Sequence, residues 1–189
     1  MQTLRITGGM LRGRKLAVLR VRPTAERVRE ALFNRLTHGG FGEDGGSILL
    51  DAHVLDLCCG TGALAFEALS RGAAHATLVD ADPAVLSLVR SNAEALDLTD
   101  VCTIHAAKLP AGLPRGLFDL VFLDPPYAEA LSEPILEALA SSNSNRPGGL
   151  ISVETSAKDR LTVPCVFTLL HEQRYGAAKL WLLQAGKSG

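Results

Sequence analysis

The 189-residue chain has no apolar run long enough to cross a bilayer. Stretches such as Ser47–Leu50 and Leu180–Leu183 fall far short of the roughly 20 residues that a spanning helix needs, and the basic start lacks a following apolar signal core. A cytoplasmic protein without a membrane partner is expected. Cysteine is also scarce. Four residues (Cys58, Cys59, Cys102 and Cys165) make no disulfide framework, and the adjacent pair lacks the two-residue gap of common zinc sites. Free thiols and no metal are the expectation. Internal repeats and low-complexity segments are absent, and the formal net charge is only −1.

That near-neutral total hides an uneven distribution. Residues 1–36 carry nine basic side chains (Arg5, Arg12, Arg14, Lys15, Arg20, Arg22, Arg27, Arg29 and Arg35) against Glu26 and Glu30, a net +7 that leaves −8 over the remainder. Phosphates respond to local potential and displaced counterions rather than to net charge. The pattern therefore suits a basic recognition arm on an acidic body, although a merely solvated basic surface would read the same way. Composition is ordinarily globular, at 47% hydrophobic and 21% charged. The expected organisation is an arm over residues 1–40, a glycine-rich acidic linker at 41–46, and one domain over 47–189.

Within the arm, Leu4 to Leu19 reads as two short strands around the Gly8-Gly9 and Arg12-Gly13 turn signals. A helix follows Pro23, with Thr24 as N-cap and Val28, Ala31, Leu32 and Leu36 as its apolar stripe. From Val54 onward short apolar runs alternate with helical patterns. The strands are expected at 54–57, 76–79, 101–105, 117–123 and 150–154, with helices at 63–70, 83–96 and 129–140. This is the rhythm of a doubly wound α/β domain with a mostly parallel sheet. Two further runs, 166–170 and 178–183, are placed to close that sheet as an antiparallel hairpin.

The segment Asp56-Leu57-Cys58-Cys59-Gly60-Thr61-Gly62 joins a strand to a helix, and its glycines allow backbone to approach a ligand. Asp56 is placed to accept bonds from a cofactor ammonium, directly or through water. Asp80, ending the next strand, is placed to hold both hydroxyls of a ribose. The glycines and the Asp80 carboxylate serve nicotinamide and S-adenosylmethionine cofactors alike, and Asp56 sharpens the signal. Asp82-Pro83 reads as a helix cap. Ala106-Ala107 offers no side-chain acceptor for an adenine, so that contact is expected from the backbone, with Ala107 as candidate, or from another residue.

Further on, an apolar strand runs into Asp124-Pro125-Pro126-Tyr127. Two prolines stiffen the backbone and remove two amide donors. The Asp124 carboxylate and Pro125 carbonyl then form a preorganised pair of acceptors, with Tyr127 available to stack on a flat base. The exocyclic amine of a base is a poor nucleophile because its lone pair is delocalised. Hydrogen bonds from its two hydrogens to these acceptors would favour a tetrahedral nitrogen and stabilise the positive charge that develops during methyl transfer. His105 and His171, lone histidines beside strands, read as structural.

Taken together these segments resemble the bacterial small-subunit ribosomal RNA guanine-N2 methyltransferase family, a branch of the Rossmann-like, S-adenosylmethionine-dependent methyltransferases. The likeness covers nearly the whole chain. It runs through Arg5 to Gly9, Arg12 to Leu16, Arg22-Pro23-Thr24, Arg27 to Glu30, Leu32-Phe33-Asn34, Asp56 to Gly62, Glu67 to Gly72, Asp124 to Tyr127 and Tyr175-Gly176. The resemblance implies S-adenosyl-L-methionine held by Asp56, Cys58, Gly60, Thr61, Gly62, Asp80, Ala107, Thr24 and Asn34. It implies catalysis by Asp124, Pro125, Pro126 and Tyr127, and RNA contacts from Arg5, Arg12, Arg14, Lys15, Arg22, Arg27 and Arg29. The implied partner of this monomer is small-subunit ribosomal RNA or the assembling small subunit. Three other classes fit parts of the pattern: a DNA adenine-N6 methyltransferase, a non-catalytic RNA-binding assembly factor, and a nicotinamide oxidoreductase.

Overall fold

The computed structural model describes residues 4–18, 25–126, 129–142 and 144–186. Two short strands, β1 (Leu4–Arg5) and β2 (Lys15–Leu16), pair antiparallel and are followed by helix α1 (Ala25–His38). Then come β3 (His53–Leu57), α2 (Ala63–Ser70), β4 (His75–Asp80), α3 (Pro83–Ala95) and β5 (Cys102–Ala106). The chain continues through β6 (Phe118–Leu123), α4 (Ser132–Ser142), β7 (Asn145–Ser156), β8 (Phe167–Tyr175) and β9 (Ala178–Ala185). Among the described residues no helix is long and apolar enough to cross a membrane.

The large sheet has the order β5-β4-β3-β6-β7-β9-β8. Strands β3 to β7 run parallel, and β9 enters antiparallel between β7 and β8. The expected closing hairpin is thus present, with its second strand inside and its first at the edge. Sheet order reverses direction between β3 and β6. A crevice opens at such a reversal, beyond the carboxyl ends of the two strands.

Three boundaries differ from the sequence reading. Helix α4 starts at Ser132 rather than near 129, because Ala130 adopts a left-handed φ of 48° that a helix cannot continue through. Strand β7 begins five residues early, running through Pro147-Gly148-Gly149, where its pairing with β6 shifts register between Phe118 and Leu120. Strand β8 extends to Tyr175 through polar residues, with an irregularity between Leu169 and His171. An edge strand that faces water does not need the alternation by which strands are recognised.

Alternation along the central strands separates two cores. Val54, Leu78, Leu120 and Phe122 point to one face; Leu55, Leu57, Val121 and Leu123 point to the other, under Ile135 and Leu139 of α4. Ile6, Leu16, Val28, Leu32, Phe33 and Leu36 all belong to the first core. The apolar stripe of α1 therefore lies on the sheet, with Phe33 against Phe122 at 5.7 Å between ring centroids.

Polar contacts fix the segment before α1 onto α2. Glu67 is fully buried. Its Oε2 accepts from the Thr7 amide at 2.8 Å, and its Oε1 accepts from the Thr7 hydroxyl at 2.8 Å and from Arg71 Nε at 2.9 Å. The Arg29 Nε lies 3.8 Å from Oε2. One turn on, Ser70 donates to the Gly8 carbonyl at 2.6 Å and accepts from the Leu11 amide at 2.9 Å. A Cβ at Gly9 would fall 1.8 Å from the Ser70 carbonyl oxygen, so only glycine allows this approach.

Truncating one member of a buried charge network leaves the other charges unpaired, a loss of about 3–5 kcal/mol. Glu67→Ala is expected to destabilise the protein by that order in urea unfolding monitored by circular dichroism. A loss below about 1 kcal/mol would show that the network does not hold the segment down.

Candidate active site

The turn after β3 is built from left-handed backbone: φ is 60° at Cys58, 53° at Gly60 and 75° at Gly62. It is pinned by the Cys59 amide donating to the Val79 carbonyl at 3.0 Å and the Gly62 amide donating to the Cys59 carbonyl at 2.8 Å. The two glycines have different duties. A Cβ at Gly62 would meet Phe66 at 2.5 Å and Leu78 at 3.0 Å, inside the core. A Cβ at Gly60 would point into open space, its nearest neighbour being the Cys58 carbonyl at 4.0 Å.

Asp56 is buried beneath this turn, and its Oδ2 accepts from the Ala65 amide in the first turn of α2 at 3.1 Å. Burial pushes its carboxyl well above the ordinary carboxylate range; the Ala65 bond opposes this, while the charges of Asp124 and Asp80 add to it. Burial, with Asp80, Asp56 and Asp124 nearby, also pushes the Cys58 thiol up to about 12. Asp80 accepts from the Gly60 amide at 3.2 Å and from the Asp82 amide at 3.0 Å. Asp82 caps α3, accepting from the Ala84 amide at 2.8 Å, as its sequence context suggests.

All of this surrounds one cavity of 770 Å³ at the carboxyl ends of the strands. Cys58, Gly60 and Thr61 line it, together with Asp56, Asp80, Ala107 and Asp124. Gly62 does not reach it. The Ala107 amide is engaged with the Asp80 carbonyl at 3.0 Å, which holds β5 to β4 at the cavity edge. Neither His105 nor His171 is part of the wall.

Several expected residues stand elsewhere. Pro125 is buried and borders a smaller depression of 190 Å³, while Asp124 and Pro126 face the main cavity. Pro125, whose carbonyl is the expected second acceptor, is not among the residues that line the main cavity. Asn34 is exposed, since Val28, Arg29 and Leu32 form the cavity-facing side of α1 and two further residues rotate the helix by about 200°. Arg29 is no surface RNA contact: it is 4% exposed, lines the cavity and donates to the Arg5 carbonyl at 2.7 Å. Its Nε has no hydrogen-bond partner among the described residues, and burial lowers its pKa. Arg5, Arg12, Arg14, Lys15 and Arg27 are exposed, with Arg5 donating to the Gly13 carbonyl and Arg14 to the Ala95 carbonyl. Arg22, Thr24 and Tyr127 lie outside the described residues.

Sequence reasoning missed Lys108, Ser152 and Glu154 in the cavity wall, and Asn92 behind it. Asn92 is buried in α3, accepts from the Ala17 amide at 2.9 Å, and donates to the Ala17 and Thr61 carbonyls at 3.1 Å each. It ties the arm to the glycine turn. A signal existed for three of these: Asn92 interrupts the apolar stripe of its helix, and Ser152 and Glu154 alternate with Ile151 and Val153.

A family model described as Conserved hypothetical protein 95 matches residues 4–184. A ribosomal RNA small subunit methyltransferase D of Haemophilus influenzae is 35% identical over 191 residues, covering 96% of this chain and 93% of the relative. Its namesake in Escherichia coli K12 is also 35% identical, over 98% of this chain and 92% of the relative. Among solved structures, a putative methyltransferase from Escherichia coli has a TM-score of 0.85 at 35% identity, over 99% of this chain and 100% of that one. A putative methylase from Haemophilus influenzae gives 0.80 at 32% identity, over 98% and 100%. The architecture is the Rossmann-like α/β fold of methyltransferases.

The two glycines separate binding from folding. Gly60→Ala is expected to fold with a loss of only about 1–2 kcal/mol, the left-handed penalty, and to place its methyl group in the cavity. Gly62→Ala adds a clash with Phe66, for a total of about 2–5 kcal/mol. Thermal melts and titration with S-adenosylhomocysteine distinguish them: Gly60→Ala should lose binding at least tenfold while staying folded. Equal melting temperatures for the two variants would contradict the assignment.

Proposed function

Since the chain belongs to the Conserved hypothetical protein 95 family, we propose that it transfers a methyl group from S-adenosylmethionine to the exocyclic N2 amine of a guanine in small-subunit ribosomal RNA. The observation that carries this reading is the convergence of the glycine turn, Asp80 and Asp124 on one cavity at the sheet reversal.

The cavity fits such a cofactor in size and charge. Its 770 Å³ lies within the range of small-molecule sites, about 300–1,000 Å³. Among the described residues six carboxyl groups line it (Asp56, Asp80, Asp82, Asp124, Glu129 and Glu154) against two cations, Arg29 and Lys108. That lining favours a ligand with net positive charge and disfavours the pyrophosphate of a nicotinamide dinucleotide. Gly60 leaves room for close backbone approach. Asp80 would hold the ribose hydroxyls, since a carboxylate has about four acceptor sites and two amides occupy it here. The wall at Ala107 and Lys108 would take the adenine, and Arg29, a buried cation in the lining, would face the cofactor's carboxylate.

Bound there, S-adenosylmethionine supplies a methyl group on a cationic sulfur, which departs as a neutral thioether when the methyl carbon bonds to the amine nitrogen. Asp124 acts on the other reactant. Its carboxylate accepts a hydrogen bond from the amine, orients the nitrogen lone pair, and stabilises the positive charge as the bond forms. The proton then leaves the methylated amine through Asp124 or to water. Pro126 shapes the approach, and Tyr127 would stack on the extruded base. Arg5, Arg12, Arg14, Lys15 and Arg27 would attract the RNA backbone.

With labelled S-adenosylmethionine and unmethylated small ribosomal subunits, label is expected in RNA, recovered after digestion as N2-methylguanosine by mass spectrometry. Asp124→Ala should lower turnover by about 10²–10³-fold and leave cofactor binding within a few fold. Recovery of N6-methyladenosine would redirect the reading to adenine. Cofactor binding with no label in any ribosomal particle would favour a non-catalytic RNA-binding factor.

A further inference from the structure

Strands β6 and β7 are parallel neighbours with Leu123 opposite Val153, so Asp124, just beyond the end of β6, and Glu154, still within β7, each follow directly on a paired residue. Register partners on parallel strands point to the same face, and strands lie about 4.8 Å apart. Both carboxylates line the cavity. On β9, Leu180 stands opposite Glu154 and lines the cavity too, as does Ser152 two residues before it. Val28 and Leu32 of α1 face this region with apolar side chains. The glycine turn and Asp80 belong to β3 and β4, on the other side of β6. The cavity thus continues past the cofactor crevice into a part with apolar walls and two adjacent carboxylates.

We propose that this part of the cavity is the target-base subsite and that Glu154 selects guanine by accepting its N1–H while Asp124 accepts from its N2 amine. The proposal rests on the guanine-amine reading above. Ionised carboxylates only accept hydrogen bonds, so a base edge set against two of them is favoured when it presents two neighbouring donors. Three RNA bases carry an exocyclic amine. Beside that amine adenine presents N1 and cytosine presents N3, both acceptors, which a carboxylate repels. Guanine alone presents a second donor there. The apolar surfaces of Val28, Leu32 and Leu180 suit the faces of a flat ring, and a site built to bond a donor discriminates strongly against an analogue that lacks it.

The test compares guanine with 2-aminopurine, which keeps the 2-amine but has an acceptor at N1. Each is placed at the mapped target position in reconstituted small subunits. Wild-type protein is expected to methylate guanine at least about 10³-fold faster, in line with discrimination by buried polar groups. Glu154→Gln, whose amide can donate to N1, should lower the guanine to 2-aminopurine ratio at least tenfold, with wild-type melting temperature and S-adenosylhomocysteine affinity. Glu154→Ala should slow guanine without accelerating 2-aminopurine. If Glu154→Gln does not fold, Glu154→Asp carries the test: the shortened reach should slow guanine selectively and lower the ratio. An unmoved ratio in the folded variant, with normal wild-type turnover on guanine, overturns the subsite alone. Absence of wild-type methylation on any guanine overturns the functional reading and the subsite with it.

Discussion

A carboxylate with no exposure to water must be compensated inside the protein, and Glu67 is compensated from two directions. From its own helix comes Arg71, one turn away, at 2.8 Å; from sixty residues earlier come the amide and hydroxyl of Thr7. Satisfying Glu67 therefore requires the segment before α1 to return to α2. That return places α1 over the sheet, with the Arg71 guanidinium 5.2 Å from the centre of the Phe33 ring. Val28, Arg29 and Leu32 then become a wall of the cavity. Without the buried carboxylate the basic segment would keep its apolar stripe and its bonds to Ser70 and Asn92 but lose the charged contact that anchors Thr7 to α2.

Asn92 extends this coupling to the glycine turn. Its side chain bonds to both backbone groups of Ala17 and to the Thr61 carbonyl, so the arm and the turn share one rigid partner. Under the proposed function the arm would meet RNA and the turn would meet cofactor. A shared buried amide makes the relative placement of these two surfaces a property of the folded core. The target nitrogen and the methyl donor must meet in line within a few tenths of an ångström, which favours rigid supports over loops.

The parallel sheet, its helices and the cavity centre were legible because their signals are local. An apolar strand followed by a glycine turn, or by an acid and two prolines, declares its end wherever it sits in the chain. The resemblance placed Asn34 and Arg29 less well, since facing depends on tertiary contact. Arg29 looks like its exposed neighbour Arg27 in sequence, yet α1 turns it inward toward Glu67. Whether a basic residue meets solvent or a buried carboxylate on another helix, with β3 between them in the chain, is not encoded in its vicinity. Pro125 shows the same limit at shorter range: the tetrapeptide reveals stiffness, but not that Pro125 is buried while its neighbours Asp124 and Pro126 line the cavity. Glu154 is legible only after the register of β6 and β7 puts it beside Asp124.

The opposed charges of arm and body follow from what each would have to attract. Cavity carboxylates suit a cationic cofactor and a base edge rich in donors, but the same charges repel the phosphates on either side of that base. Two unit charges 10 Å apart interact by about 0.4 kcal/mol in water and more near a low-dielectric surface. Several carboxylates together would therefore oppose RNA by a few kcal/mol. Under the proposed function, exposed arginines on the arm would reverse the sign of the potential where phosphates approach and leave it negative where the amine would react. Separation over this distance is effective because salt screens interactions beyond about 8–10 Å. A uniformly basic protein would gain the RNA and lose the preference for the sulfonium; a uniformly acidic one would do the reverse. The net charge of −1 records only the near cancellation of the two.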